Sequence, residues 1–285
     1  MIIDDAHRAA FIHVPKCGGT SISLQLGAVD SYAGAFRGKG ERAGLGPVHF
    51  AHLPLRFLRE AFPEVFAKVA AYRSFALTRD PHERFASAVF QRLDEFRGVR
   101  KTAVTGRLAL AEAAEVIAWL ADRGPFCDLE YIHFSRQVDY VRLDGRTLVE
   151  NVFAMESMDS LARALGAICE VDLDPERREN TNFASRNRLL EWAHLAKPVY
   201  SRLTTWAFRE RILQALRRWN VQSPRGLYDD LRRDPRISRF VETYYAADFR
   251  LHAAALAAPV RRVEGGNPGF DAAELDRVNA CEVAL

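Results

Sequence analysis

The chain is poor in cysteine, in lysine and in long apolar runs. Its 285 residues hold four cysteines, Cys17, Cys127, Cys169 and Cys281. They lie too far apart for a CxxC zinc pair and are too few for a disulfide scaffold, so reduced thiols in a cytosol are expected. No cluster of metal-ligand residues appears, and no metal is expected. No run of about eighteen apolar residues exists to span a membrane. A first strand begins by residue 11, which leaves no room for a signal peptide. A soluble, bacterial, cytoplasmic protein is the expectation. The formal net charge of +3 is too small to argue for a nucleic-acid partner, but it suits a local pocket for an anion. Lysine occurs only at positions 16, 39, 68, 101 and 197, so 35 of the 40 basic residues are arginine. The GxxxxGK[ST] loop of kinases and ATPases is missing, as is any internal repeat. The hydrophobic content of 48% is ample for a core, and the length allows one large domain or one domain with an appendage.

What is present is organised around Phe11–Leu26, FIHVPKCGGTSISLQL. Phe11 to Val14 read as a short buried strand that Pro15 stops. Lys16, Cys17, Gly18, Gly19, Thr20 and Ser21 follow, and then a helical pattern with Ile22 and Leu26 on one face. A strand, a glycine turn and a helix aim backbone N–H groups at an anion. The two glycines let the backbone curl tightly, and Lys16 adds a mobile charge. Thr20 and Ser21 supply hydroxyls for capping or for hydrogen bonds.

A second segment runs Tyr72 to Thr78, a buried strand, into Arg79-Asp80-Pro81-His82-Glu83-Arg84-Phe85-Ala86-Ser87. Asp80 is a good N-cap, Pro81 fits the first helical position, and Glu83 completes a variant capping box. The helix runs to about Phe96, with Phe85, Val89, Leu93 and Phe96 buried and Arg84, Ser87 and Gln91 on a polar face. Capping explains Asp80 to Glu83. It does not explain Arg79 and Ser87 together, which can converge on one anion.

These two segments resemble the 5′-phosphosulfate loop and the 3′-phosphate motif of sulfotransferases that use PAPS (3′-phosphoadenosine 5′-phosphosulfate). The branch most similar is that of heparan-sulfate 2-O-sulfotransferase, whose loop runs HxPKxxGTS; here His13 to Ser21 match it. Arg79 to Ser87 match RDPxxRxxS at every fixed position. The resemblance covers about residues 11–256 and is faint outside these places. It implies an α/β fold of three-layer, P-loop-like type, with a central, mostly parallel sheet flanked by helices. It implies sulfuryl transfer from PAPS, releasing PAP, to a hydroxyl acceptor such as a carbohydrate, without a metal. Lys16 would serve catalysis and, with Cys17, Gly18, Gly19, Thr20 and Ser21, hold the phosphosulfate; Arg79 and Ser87 would hold the 3′-phosphate. Relatives place a histidine base at a strand end that aligns with His52, in Val48-His49-Phe50-Ala51-His52; His49 is second, and Asp94 or Glu95 is the fallback. A loop near Asn182, Ser185 and Arg186 would help close over the nucleotide. A kinase-like nucleotide-binding protein, or a catalytically silent PAP-binding protein, is the alternative.

The remaining expectations concern layout. Residues 1–10 read as a polar lead and 27–46 as a glycine-rich surface loop. Strands are expected at 48–50, beside 11–14 and 75–78 in one sheet, and at 138–143 and 151–155. Helices are expected through Phe62, over 104–122 and 157–165, near 188–196 and 206–219, and over 235–256. Residues 1–257 would form the sulfotransferase domain and 258–285 an appendage.

Overall fold

The computed structural model describes residues 1–100, 103–176, 184–185, 221–222 and 225–258. In chain order these give β1 (Ile2–Asp4), β2 (Ala9–Ile12), α1 (Gly19–Gln25), β3 (Lys39–Arg42), β4 (Gly46–His49), α2 (Leu55–Ala61), α3 (Pro63–Ala71), β5 (Arg73–Thr78), α4 (Pro81–Phe96) and α5 (Gly106–Leu120). Then come β6 (Arg142–Leu143), β7 (Arg146–Thr147), β8 (Asn151–Ala154), α6 (Met158–Cys169), α7 (Arg225–Arg233), α8 (Pro235–Tyr244) and α9 (Ala246–Ala257).

The centre is a four-stranded sheet in the order β1-β2-β5-β8. β2, β5 and β8 run parallel, with Phe11 opposite Phe75 and Leu77 opposite Phe153; β1 is antiparallel to β2. β2 and β8 are buried along their whole length, as continuous apolar strands of a covered parallel sheet should be. Helices α3, α6 and α9 pack against this sheet. A second apolar cluster lies among α4, α5, α7 and α8, where Phe85, Val89, Leu93, Val116, Leu231 and Val241 meet. The expected α/β class, with a central and mostly parallel sheet, is what the chain adopts. Among the described residues no helix is long and apolar enough to cross a membrane.

Four layout expectations need correction. Residues 1–10 are not a polar lead: Ile2 and Ile3 are buried in β1, and residue 9 already opens β2. Strand β1 is only three residues long, too short for a periodicity to show. Residues 46–49 form a strand, but it stays outside the central sheet and pairs with β3, Lys39 opposite His49. The glycine-rich segment thus supplies a hairpin, with Gly44 at φ 83° in its turn. Gly40 lies so close to the Phe50 ring that a Cβ there would meet it at 2.7 Å. Around residue 138 the chain is a 3-10 turn, Gln137–Tyr140, with only Arg142–Leu143 as strand. The helix expected at 235–256 is two helices, broken at Tyr245, whose buried hydroxyl donates to the Phe134 carbonyl at 2.6 Å. The helices expected at 188–196 and 206–219, and residues 259–285, lie outside the described residues.

Candidate functional site

Strand β2 delivers the chain into the loop His13–Gly18. Lys16 at φ 64° and Gly18 at φ 82° are both in the left-handed region, and this turns the chain sharply into α1. Glycine is required at 18 by that φ. At 19 it is required by packing, because a Cβ would stand 2.7 Å from Cδ2 of His13. The missing side chains therefore face protein: the methionines Met155 and Met158 at Gly18, and His13 and Phe11 at Gly19. Cys17 is buried; its thiol donates to Oε1 of Gln137 at 3.2 Å, and burial pushes it up to about 12. Lys16 is half-buried and its Nζ donates to Oε1 of Gln91 at 3.3 Å. Thr20 is half-buried and Ser21 is buried.

β5 ends beside this loop, with Arg79 at its tip. The amide of Gln137 grips Arg79 twice: Oε1 accepts its N–H and Nε2 donates to its carbonyl, each at 2.9 Å. One amide thus ties Cys17 and Arg79 together. The Arg79 guanidinium pairs with Glu83 at 2.7 Å and reaches the Lys16 carbonyl at 3.4 Å. Its Nε is buried and has no hydrogen-bond partner among the described residues. Asp80 caps α4 as its sequence predicts, accepting from the Glu83 N–H at 3.0 Å. Ser87 is buried. Tyr228, from α7, brings its hydroxyl within hydrogen-bonding reach of both Ser87 and Arg79, while its ring stacks on Phe90 at 5.1 Å.

Histidine gathers next to the loop. The His52 ring lies 4.6 Å from that of His13, 4.4 Å from His49 and 5.5 Å from His133. Nδ1 of His52 is 2.9 Å from the His13 carbonyl. A carbonyl only accepts, so Nδ1 carries the proton and Nε2 holds the lone pair. Among the described residues Nε2 has no hydrogen-bond partner. Burial, and then the neighbouring imidazoles, hold His52 well below the usual histidine range. Burial does the same for His13 and His133, and lowers His49 to about 4. These imidazoles are neutral at neutral pH. No group of three ligating side chains placed to hold a metal occurs among the described residues.

The structure therefore brings Lys16, the glycine turn and Arg79 together, and sets His52 against the loop's first residue. Glu95 accepts from Lys39 and, at 3.0 Å, from the amide of the Gln91 that receives Lys16, and Asp94 is exposed. Asn182 and Arg186 lie outside the described residues. Sequence reading missed His133 and Tyr228, and saw Gln137 only as part of a weak Q-x-x-Y-V pattern. A polar residue flanked by apolar ones, Ile132 and Phe134, was the available signal for His133.

No curated protein and no solved structure matches the chain. A family model described as the sulfotransferase family matches residues 1–253. That span takes in the loop, Arg79 to Ser87, and all four clustered histidines, and the chain belongs to the sulfotransferase family.

Proposed function

We propose that the protein moves the sulfuryl group of PAPS to a hydroxyl acceptor, with His52 as general base, on a three-layer P-loop-like scaffold comprising residues 1–257. The observation that carries this reading is the Nδ1 bond from His52 to the His13 carbonyl. It fixes the lone pair on Nε2 and ties the base to the first residue of the phosphosulfate loop.

In the reaction, Nε2 of His52 takes the proton of the acceptor hydroxyl. The acceptor oxygen forms a bond to sulfur as the bond from sulfur to the 5′-phosphate oxygen breaks, and the electron pair leaves with that phosphate. Lys16 and the N–H groups of residues 18–21 face the charge that builds there. Arg79 and Ser87 grip the 3′-phosphate and so position the reacting end. The buried, unpartnered Nε of Arg79 fits such an anion, since a phosphate oxygen would satisfy it. Cys17 contributes through its buried bond to Gln137, which holds the loop's shape. The acceptor is read as a carbohydrate or another small alcohol, on the family resemblance alone.

The decisive experiment compares nucleotides by calorimetry. PAP should bind tighter than AMP by tenfold or more, because a charge-assisted hydrogen bond is worth about 1.5–3 kcal/mol. Equal affinities would remove the 3′-phosphate assignment. Radiolabelled transfer from PAPS to a panel of saccharides and alcohols separates an enzyme from a silent PAP-binding protein.

A further inference from the structure

His133, like His49, is a member of the histidine cluster that the reaction above leaves without a task. It comes from the turn Ile132–Phe134, 81 residues beyond His52 in the chain. Its backbone is held firmly. The buried Arg84 guanidinium donates to the His133 carbonyl at 3.1 Å, and the Tyr245 hydroxyl holds the next carbonyl at 2.6 Å. Asp248 fixes the chain just downstream by accepting from the N–H groups of Gln137 and Val138, at 2.8 and 3.0 Å. Tyr140 then joins this segment to the base, donating to the His52 carbonyl at 3.1 Å while its oxygen lies 2.7 Å from Oγ of Ser135. So much fixed backbone makes a rigid mount for one ring, as a preorganised site requires. That ring has no hydrogen-bond partner among the described residues, although it is only 8% exposed.

Its neighbours give its place. The ring stands 5.5 Å from His52 and 6.3 Å from His49. After burial, the Lys16 charge acts most strongly on it, whereas the other imidazoles act most strongly on His52. His133 thus lies beside the base, on the same side of the cluster as His49. A sulfuryl group passing to an acceptor hydroxyl held at Nε2 of His52 would come close to this ring.

We propose that His133 is a further catalytic residue, donating an imidazole N–H to an oxygen of the sulfuryl group in transit. This rests on the donor reading given above. His133 gains and loses no proton: the acceptor proton goes to Nε2 of His52 and the electron pair to the 5′-phosphate. The division of labour follows from the bonds. Protonated His52 keeps its Nδ1 proton on a carbonyl, which stabilises the imidazolium. Protonated His133 would carry a second N–H with nothing to receive it, so it serves as a neutral donor.

The experiment needs no acceptor. Calorimetry would measure PAPS and PAP binding to the wild type, His133→Ala, His133→Asn and His133→Gln. His133→Ala should lose about tenfold or more in PAPS affinity and keep its PAP affinity, since only PAPS presents the sulfuryl oxygens. Asparagine or glutamine, each with an N–H at nearly the same reach, should restore part of the loss. A folded His133→Ala with the wild-type ratio of PAPS to PAP affinity overturns the proposal. Should His133→Ala fail to fold, 15N spectra of the wild type decide. PAPS, and not PAP, should shift the His133 ring N–H, and no such difference overturns the assignment. A wild type that binds neither nucleotide refutes the donor reading itself, a separate outcome.

Discussion

Lowering the pH from 7.5 to 5.5 should unfold this protein far more readily than its modest charge suggests. His13, His52 and His133 are each below 9% exposed, and burial holds all three well below the ordinary value of about 6.5. In the unfolded chain they titrate at that ordinary value. Between the two values the unfolded state binds more protons, so stability is present above about pH 6.5 and is lost as pH falls through it. At pH 5.5 each such histidine has given up ~1.4 kcal/mol relative to neutrality, and three give up about 4 kcal/mol. His49, half-buried and lowered to about 4, adds less because solvent reaches it. Asp248 works in the opposite direction. Desolvation raises it to about 6 in the folded state, so it takes a proton there first and returns about 0.8 kcal/mol at pH 5.5. The net loss is about 3 kcal/mol, against a total of roughly 5–15 kcal/mol for a folded protein. Urea unfolding at the two pH values and constant ionic strength measures it. His13→Asn should shrink the difference between the two by ~1.4 kcal/mol. Equal stabilities at both pH values would mean that the cluster is protonated in the native state, and the neutral-imidazole account would fall with it.

Three further outcomes are expected. Lys16→Ala should lower sulfuryl transfer by roughly 10²–10³, the loss that follows removal of a transition-state donor, with little change in melting temperature; transfer at the wild-type rate rules its role out. His52→Ala should cut turnover by about 10²–10⁴ and leave PAP affinity intact. In the wild type the acidic limb of the rate profile should lie below pH 6.5, because burial lowers that imidazole, and it should vanish in the variant; a limb that persists puts the base elsewhere. Asp80→Ala should cost about 0.5–2 kcal/mol in chemical denaturation, since it removes the acceptor for the Glu83 N–H, and an unmoved midpoint would show that the cap contributes nothing.

What could be read in the sequence was local. The loop from His13 to Gly19 is set by Pro15, the glycines and the strand before them, all within a dozen residues. Arg79 to Ser87 is fixed by a cap and a proline at adjacent positions, and α4 spans Pro81–Phe96 as its periodicity predicts. What could not be read depends on distant partners. Gln137 reaches Cys17 from 120 positions away, and Tyr245 reaches Phe134 from 111. The extended stretch at 48–50 suggests a strand, not that Lys39 to Arg42 will claim it before the central sheet does. Tyr245 interrupts an unbroken helical pattern with no glycine or proline nearby, because its hydroxyl is needed at the Phe134 carbonyl. His52 is an intermediate case. Its position near a strand end was visible, whereas the carbonyl that fixes its tautomer was not.

The same burial that makes the histidine cluster acid-labile sets a problem for catalysis. The proposed base His52, held well below 6.5, is unprotonated at neutral pH, which proton abstraction requires. It is also a weaker base, and proton transfer to it in the transition state is correspondingly less favourable. The His13 carbonyl opposes that second effect, because its bond to Nδ1 strengthens as the ring becomes cationic. Desolvation thus keeps protons off His52 before the reaction, and the carbonyl lowers the cost of receiving one during it. Moving that carbonyl should therefore damage turnover at pH 7 without protonating the free enzyme. Pro15 governs the loop that presents it, and Pro15→Gly, which loosens the backbone around His13, should lower kcat while the acidic limb moves further down, because the bond that favours the cationic ring is weakened. A limb that moves up toward pH 6.5 instead would show that loop rigidity serves to exclude water rather than to aim the carbonyl.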